Sequence, residues 1–163
     1  MSELDPKSPS ESSSELAELM MPQHANILGK AFGGTLLAMI DKAAGVAAIR
    51  HAGRVCVPAQ VDQVSFDSPI EIGELVRCLA QVNWVGRSSM EVGVKVLATS
   101  LRTGATRQTN TCYVTMVAID DHGQPTPVPP LRLETDEERK RWQSAERRVQ
   151  ARKATRRRER TEG

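Results

Sequence analysis

The chain contains few aromatic residues and few cysteines. Aromatics make up 3% of its 163 residues, so a core must be built from Val, Ile, Leu, Ala and Met. The three cysteines, Cys56, Cys78 and Cys112, are odd in number and have no C-x-x-C spacing. This usage excludes a disulfide framework and a cysteine zinc site, and it is typical of a reduced, cytoplasmic protein.

Long apolar runs and hydrolase motifs are also missing. No stretch approaches the roughly 18–20 apolar residues that span a bilayer, and no N-terminal segment resembles a signal peptide. His24, His51 and His122 lack metal-ligand spacing, so we expect no metal site. Neither G-x-S-x-G nor a nucleophilic Cys–His pair is evident.

Charge and composition divide the chain into three parts. Residues 1–13 are rich in Ser, Pro and acids and are predicted to be disordered. Residues 134–163 carry a net charge of +4 and the rest −2. We interpret 134–163 as a solvated basic helix or tail, and nucleic acid is not an expected partner. The single folded domain is therefore predicted over 14–133.

The middle of the chain predicts one long helix and an antiparallel sheet. Residues 35–52 are apolar on nearly every face, which predicts a buried helix ended by Gly53. Strand patterns cover residues 14–21, 57–66, 75–85, 90–98 and 107–119. This order predicts an α+β fold in which a sheet wraps around the helix.

Asp41 interrupts the apolar helix. The residues three, four and seven positions away share its face, and five of these six are Gly or Ala. A carboxylate beside small residues leaves room for a substrate or a partner strand, although a buried salt bridge is the alternative. Gly29 and Gly34 match only part of a phosphate-binding loop, because the lysine is missing, so that reading is rejected.

The start of the helix adds a second chemical feature. Gly33 and Gly34 precede it, and unpaired backbone N–H groups at a helix N-terminus stabilise an oxygen that carries negative charge. Such an N-terminus, with the Asp41 carboxylate about two turns along the same face, is a minimal hydrolytic arrangement.

Three segments together resemble a known family. The strings "MPQHANILGKAFGGTLLAMID", "VDQVSFDSPIEIGE" and "VNWVGRSSMEVGVKV" resemble the hotdog-fold acyl-CoA thioesterases. The branch they resemble is the short bacterial acyl-CoA thioester hydrolases related to the brain acyl-CoA hydrolase type. The resemblance covers roughly residues 14–133 and is most specific in the N-x-x-G-x-x-F-G-G-x-L-L-x-x-I-D string.

The resemblance implies a fold, an assembly and a site. It implies a curved antiparallel sheet around one long helix, and homodimers that assemble further as trimers of dimers. The family's functional asparagine and aspartate match Asn26 and Asp41, and the pair is expected to come from opposite protomers. Gly34 matches the residue whose N–H polarises the thioester carbonyl. Arg87, Ser88 and Ser89 match the loop beside the coenzyme A arm.

The remaining expectations concern substrate contacts. The thioester carbonyl is expected near Gly33 and Gly34, and the acyl chain is expected to pass Leu37 and Ala38. The phosphates are expected to meet Arg87 or Lys30. The predicted partner is an acyl-CoA substrate and no separate cofactor is expected, since coenzyme A is part of that substrate. Whether Asp41 acts as general base or nucleophile, and which acyl length is preferred, stay open. The alternatives are a non-catalytic acyl-CoA sensor, a hotdog dehydratase and a structural scaffold.

Overall fold

The computed structural model describes residues 3–163. Its regular elements are β1 (Ser14–Leu19), α1 (Gly33–Ala52), β2 (Cys56–Val61), β3 (Leu75–Val85), β4 (Ser89–Thr99), β5 (Thr106–Ala118) and α2 (Asp136–Glu162). The three central strands begin and end within one residue of their predicted bounds. β1 and β2 are shorter than predicted, and the chain from residue 62 to residue 74 forms a connection instead of extending β2.

One antiparallel sheet contains all five strands, in the order β1-β3-β4-β5-β2. The sheet curls around α1, which contacts every strand. Alternate residues of the central strands face α1, and these are the Val, Ala, Cys and Met side chains that form the core. The predicted α+β hotdog arrangement is therefore confirmed.

The inner face of α1 packs into the curl of the sheet. The helix begins at Gly33, two residues before its predicted start, and ends at Gly53, whose φ of 66° gives a left-handed cap. Its buried residues follow helical spacing and are Leu36, Met39, Ile40, Ala43, Ala44, Ala47, Ala48 and His51. Small Ala side chains let the helix approach the strands closely.

The outer face of α1 corrects one prediction. The helix was predicted to be buried on all sides, but in one chain Leu37, Val46 and Ile49 are about 40% exposed or more. Asp41 and Lys42 are exposed on the same side. The Asp41 carboxylate is therefore not buried within one chain, and the predicted all-round burial is wrong at this level of assembly.

The N-terminal segment also differs from its prediction of disorder. Pro9–Ser12 form a 3-10 turn, and Ser12 is buried where its hydroxyl accepts a hydrogen bond from the Val82 N–H at 2.9 Å. The Lys7 backbone pairs with the segment at Leu131. Residues 1 and 2 lie outside the described residues.

The helix α2 crosses the outer face of the sheet. Its start is capped by Thr135, whose hydroxyl accepts from the Glu138 N–H at 3.1 Å. A small apolar cluster joins it to the sheet, in which Trp84 of β3 packs with Trp142, Ala145 and Val149 of α2. Ion pairs and side-chain hydrogen bonds, such as those from Arg141 to Gln81 at 3.0 Å and from Arg156 to Gln60 at 2.9 Å, add to this contact. They hold the helix against the sheet despite the few apolar residues that its sequence offers.

A buried carboxylate joins α2 to the sheet. Glu91 is 1% exposed, and it accepts hydrogen bonds from Arg148 at 2.6 Å and Arg152 at 2.7 Å. Arg152 also binds Asp62 at 2.9 Å, and Arg148 stacks 3.5 Å from the centre of the Tyr113 ring. A buried charge requires such partners, so the pairing fixes where α2 lies on the sheet.

Candidate active site

The N-terminus of α1 presents unpaired backbone donors. Phe32 occupies the cap position, and its carbonyl accepts from the Thr35 N–H at 3.0 Å. Within residues 3–163, the N–H groups of Gly33 and Gly34 make no hydrogen bond to another backbone group, and no side chain caps the helix. Two free donors at the positive end of a 20-residue helix therefore face outward, where they can bind a polarised oxygen.

Two phenylalanine rings flank these donors. A Cβ on Gly34 would lie 2.3 Å from Cε1 of Phe32, and a Cβ on Gly33 would lie 3.4 Å from Cζ of Phe66. The rings are about half exposed. Only glycine at position 34 leaves room for the Phe32 ring in this position, and the rings give the donors an apolar surround.

Asn26 lies in the loop that leads to the helix. Its side-chain oxygen accepts from the Leu28 N–H at 2.9 Å and from the Lys30 N–H at 3.1 Å. These two bonds fix the orientation of the carboxamide, because only the oxygen can accept. The Nδ2 group makes no hydrogen bond within the described residues, so Asn26 offers a donor to a substrate or a water.

Asp41 lies on the exposed side of α1. It is seven residues after Gly34, about 10 Å along the helix axis. Its carboxylate takes part in no hydrogen bond or ion pair in the described part of the chain. No hydrogen bond joins Asp41 to Asn26 in a single chain either. The salt-bridge alternative for Asp41 therefore has no partner among residues 3–163.

The surface around Asp41 is apolar and open. Leu37, Val46 and Ile49 share its exposed face, and Val57 and Val61 are exposed on β2, the neighbouring sheet edge. The outer edge of β2 pairs with no other strand in the described chain. An apolar surface of this extent is typical of a protein–protein contact.

The connection beside the helix N-terminus is held by charged side chains that the sequence analysis did not identify. Arg107 donates to both oxygens of Glu74, at 2.5 and 2.9 Å, and to the Pro69 carbonyl at 2.7 Å. The Arg107 guanidinium holds the pKa of the Glu74 carboxyl below its ordinary value. Phe66, which reaches Gly33, belongs to this connection, so Arg107 and Glu74 help to position it. No local pattern marks the pair, because 33 residues separate them.

Lys30 is engaged within the chain. Its ammonium lies 2.5 Å from an oxygen of Glu71, and the two residues also form an isolated β-bridge. The lysine predicted to meet a substrate phosphate therefore already has a carboxylate partner. Both side chains are substantially exposed.

The predicted coenzyme A loop lies at the other end of the sheet. Arg87 and Ser88 turn between β3 and β4, and Ser89 begins β4. The carbonyls of Arg87 and Ser88 bind Val128 and Ala118, whereas the helix N-terminus joins the segment before β3 through the Ala31 N–H and the Ile70 carbonyl. Because β3 has 11 residues, its two ends lie about 33 Å apart. One chain therefore does not bring this loop to Gly33 and Gly34.

The fold and the motifs define a class of protein. Residues 28–105 match the profile of the thioesterase superfamily. The chain is 42% identical over 119 residues to an uncharacterized acyl-CoA thioester hydrolase, YkhA, of Bacillus subtilis, covering 73% of this chain and 69% of that protein. The chain belongs to the thioesterase superfamily, and the resemblance noted in its sequence is confirmed.

Solved structures agree with this assignment. An apo-hexameric acyl-CoA thioesterase superposes with a TM-score of 0.88 at 36% identity, covering 93% of this chain and 97% of that one. An acyl-CoA hydrolase from Staphylococcus aureus, in complex with butyryl coenzyme A, coenzyme A and coenzyme A disulfide, superposes with a TM-score of 0.86 at 37% identity. That match covers 95% of this chain and 94% of the other. Among residues 3–163, no helix has the length and apolar character that crossing a membrane requires.

Proposed function

We propose that this chain hydrolyses acyl-CoA thioesters to coenzyme A and a carboxylic acid. The observation that carries the proposal is a pair of free N–H donors at Gly33 and Gly34 on the same helix as an exposed, unpartnered Asp41. The N–H groups of Gly33 and Gly34 stabilise negative charge on an oxygen, and the Asp41 carboxylate can accept a proton. The coenzyme A ligands of the Staphylococcus aureus relative support this substrate class.

The mechanism starts at the helix N-terminus. The thioester carbonyl oxygen accepts from the Gly34 N–H, which stabilises the charge that develops when the carbon is attacked. The Asp41 carboxylate of the second chain, in the dimer proposed below, removes a proton from a water, and the resulting hydroxide adds to the carbonyl carbon. The C–S bond then breaks, and coenzyme A leaves as a thiolate. A thiol with a pKa near 8.5 is a good leaving group, so no strong general acid is required.

A direct attack by Asp41 is the other route to the same products. The carboxylate would form an anhydride with the acyl group and expel the thiolate, and water would then hydrolyse the anhydride. The two routes differ in the origin of one oxygen atom. The base route always puts one ¹⁸O atom into the acid when a single turnover runs in ¹⁸O-labelled water, because the other oxygen is the unlabelled thioester carbonyl. An acid without any label, together with ¹⁸O in the Asp41 carboxylate, forms only when Asp41 attacks and water then opens the anhydride at the aspartyl carbon.

The proposed site needs a second chain. A two-fold axis perpendicular to α1 sets two copies of the helix antiparallel, so that each covers the apolar face of the other. The same operation brings the β3–β4 turn of one chain toward the helix N-terminus of its partner. Asn26 and Asp41 then meet from opposite protomers, and Arg87 approaches the substrate phosphates of the neighbouring site.

The assembly and the location follow from the same proposal. Pairing of the exposed β2 edges continues the sheet across the dimer, and we propose that such dimers associate as trimers. The hexameric relative supports an assembly of six chains. A cytoplasmic location stays a prediction from cysteine usage and from the nature of the substrate.

The experiment compares Asp41→Asn with Lys42→Gln. Both residues are exposed on α1, and each substitution removes one charge at nearly constant shape. Thiol release from acyl-CoAs of increasing chain length is measured for each folded variant. We expect Asp41→Asn to lower kcat by about 10²-fold or more, because the base is lost, and Lys42→Gln to stay within about twofold. A folded Asp41→Asn enzyme that keeps most of its kcat would contradict the mechanism.

The same assay separates the rival classes. A non-catalytic sensor binds acyl-CoA without releasing thiol, and a dehydratase hydrates an enoyl thioester without cleaving it. Either result with the wild-type protein would replace the proposed function.

A further inference from the structure

A cavity of about 830 Å³ lies between the outer face of the sheet and the first half of α2. Its volume falls within the usual range for small-molecule sites. The helix α1 lies on the inner side of the sheet, so the cavity and the candidate active site are on opposite sides. Arg50 lines one end of the cavity, about 25 Å along α1 from Gly33.

Gly93 lines the cavity on the side of the sheet. It pairs with Gln81 on β3 and with Tyr113 on β5, in the row of residues that face outward. A Cβ on Gly93 would lie 2.5 Å from Nδ2 of Asn83. The glycine therefore creates the space into which the Asn83 carboxamide extends.

Asn83 is buried without a partner. It lines the cavity and is 8% exposed, at the bulge where β3 shifts register against β4. Within the described residues its carboxamide makes no side-chain hydrogen bond. The fully buried, unpaired side-chain atoms of residues 3–163 are His51 Nδ1 and Arg77 Nε, so the Asn83 amide atoms instead face the cavity, where water or a ligand reaches them. A ligand with polar atoms would complete its hydrogen bonds.

The charge of the lining indicates what kind of ligand fits. Five basic and two acidic residues line the cavity. Arg148 and Arg141 already bind Glu91 and Glu137. Lys95 and Lys140 form no ion pair in the described part of the chain, and they approach the space from β4 and from α2. Two free ammonium groups favour an anion, and the scarcity of carboxylates disfavours a metal ion.

We propose that this cavity binds a phosphate-bearing organic anion of nucleotide size, at a site separate from the thioester site. Lys95 and Lys140 bind the phosphate oxygens, and the Asn83 carboxamide pairs with a polar group of the ligand. The volume exceeds what inorganic phosphate fills, and Leu79 and the edge of the Tyr113 ring supply apolar surface for the organic part.

Calorimetric titration of the full chain with ADP tests the proposal. Inorganic phosphate and adenosine are titrated in parallel, so that the charge and the organic part are judged separately. We expect one ADP per chain, with a Kd at least about tenfold lower than that of either probe. No ADP binding at millimolar concentration, or equal binding of adenosine, would overturn the proposal.

A matched pair of double variants locates the site. Lys95→Ala/Lys140→Ala removes two charges from the cavity, and Arg157→Ala/Arg158→Ala removes two from the exposed end of α2. The first should weaken ADP binding about tenfold or more, and the second should leave it within about twofold. Equal losses would show that ADP responds only to the overall charge of the chain.

Asn83→Ala separates a ligand contact from a structural one. We expect weaker ADP binding together with a Tm that changes little, because the Asn83 carboxamide makes no side-chain hydrogen bond within the described residues. A lower Tm with unchanged ADP binding would make Asn83 structural.

The last measurement distinguishes a separate site from a subsite for coenzyme A. ADP should bind with the same stoichiometry and Kd when coenzyme A is saturating, and the lysine double variant should keep the KM of the wild type for acyl-CoA. Competition between the two ligands would overturn the separate site. Because ADP binding is measured directly, it can succeed even if the chain has no thioesterase activity.

Discussion

Gly34→Ala tests whether the N-terminus of α1 holds the reacting carbonyl. The added Cβ would lie 2.3 Å from Cε1 of Phe32, so the ring must move by more than about 1 Å to reach ordinary contact. Phe32 is 55% exposed, which makes that movement inexpensive. Alanine within a helix contributes roughly 0.5–1 kcal/mol over glycine, so the free energy of unfolding should change by less than about 1 kcal/mol.

The activity should respond very differently. A methyl group and a displaced ring beside the Gly34 N–H crowd the place of the carbonyl oxygen, and loss of one such donor costs about 10²–10³-fold in kcat. Lys42→Gln is the control, because it changes an exposed residue of the same helix and adds no atom beside these donors. Thiol release and thermal unfolding are measured for both. A fall of equal size in both variants, or none in folded Gly34→Ala, would refute the reasoning.

Three further predictions concern the framework of the fold. Glu91→Gln should lower the free energy of unfolding by roughly 3–5 kcal/mol in denaturant titrations, because it breaks a buried ion pair, whereas exposed Glu137→Gln should cost less than about 1 kcal/mol. Because the pKa of Glu74 is lowered in the folded chain, its carboxylate stabilises the fold fully above the ordinary pKa of 4.5, and this stability is lost as the pH falls through the folded pKa. Below pH 4.5 the Tm of Glu74→Gln should therefore fall less steeply than the Tm of the wild type. Burial raises the pKa of each cysteine thiol to about 11. Iodoacetamide should therefore label these thiols at pH 8 only after the chain unfolds, and equal labelling rates in native and unfolded protein would contradict their burial. The three thiols are Cys56, Cys78 and Cys112.

The core of the fold was predictable from local pattern. Met90, Val92, Val94 and Val96 alternate along β4, and every one of them is buried against α1 as that alternation requires. The glycine after the helix also marked its end correctly. Hydrophobic periodicity indicates which side chains share one face of a strand or helix. With one sheet and one central helix, the apolar faces must pack against each other, so the periodicity predicts most of the core.

The exposure of the outer face of α1 could not be predicted from the hydrophobic pattern of the sequence. Leu37, Val46 and Ile49 are as apolar as the residues that face the sheet, so the sequence does not show that a different surface covers them. An apolar face that packs on a partner and one that packs on its own sheet have the same composition. The prediction of an all-round buried helix failed for this reason in a single chain.

The candidate site was predictable in its residues but not in its arrangement. Asn26 was identified by resemblance, Gly34 and Asp41 by resemblance and by their position on one helix, and the roles of all three stay predictions. The separation of Arg87 from the helix N-terminus depends on strand direction and length, which only the three-dimensional arrangement shows. The contacts of α2 escaped prediction because Glu91 pairs with Arg148 across 57 residues.

In the proposed dimer, each site takes Asn26 from one chain and Asp41 from the other. The most direct test mixes two inactive variants, Asn26→Ala and Asp41→Asn, unfolds them together and refolds them. Half of the resulting dimers contain both variants, and each of these has one intact site, so about a quarter of the wild-type activity should return. If both residues act within the same chain, no mixed dimer has an intact site and the refolded mixture stays inactive, which would contradict the account.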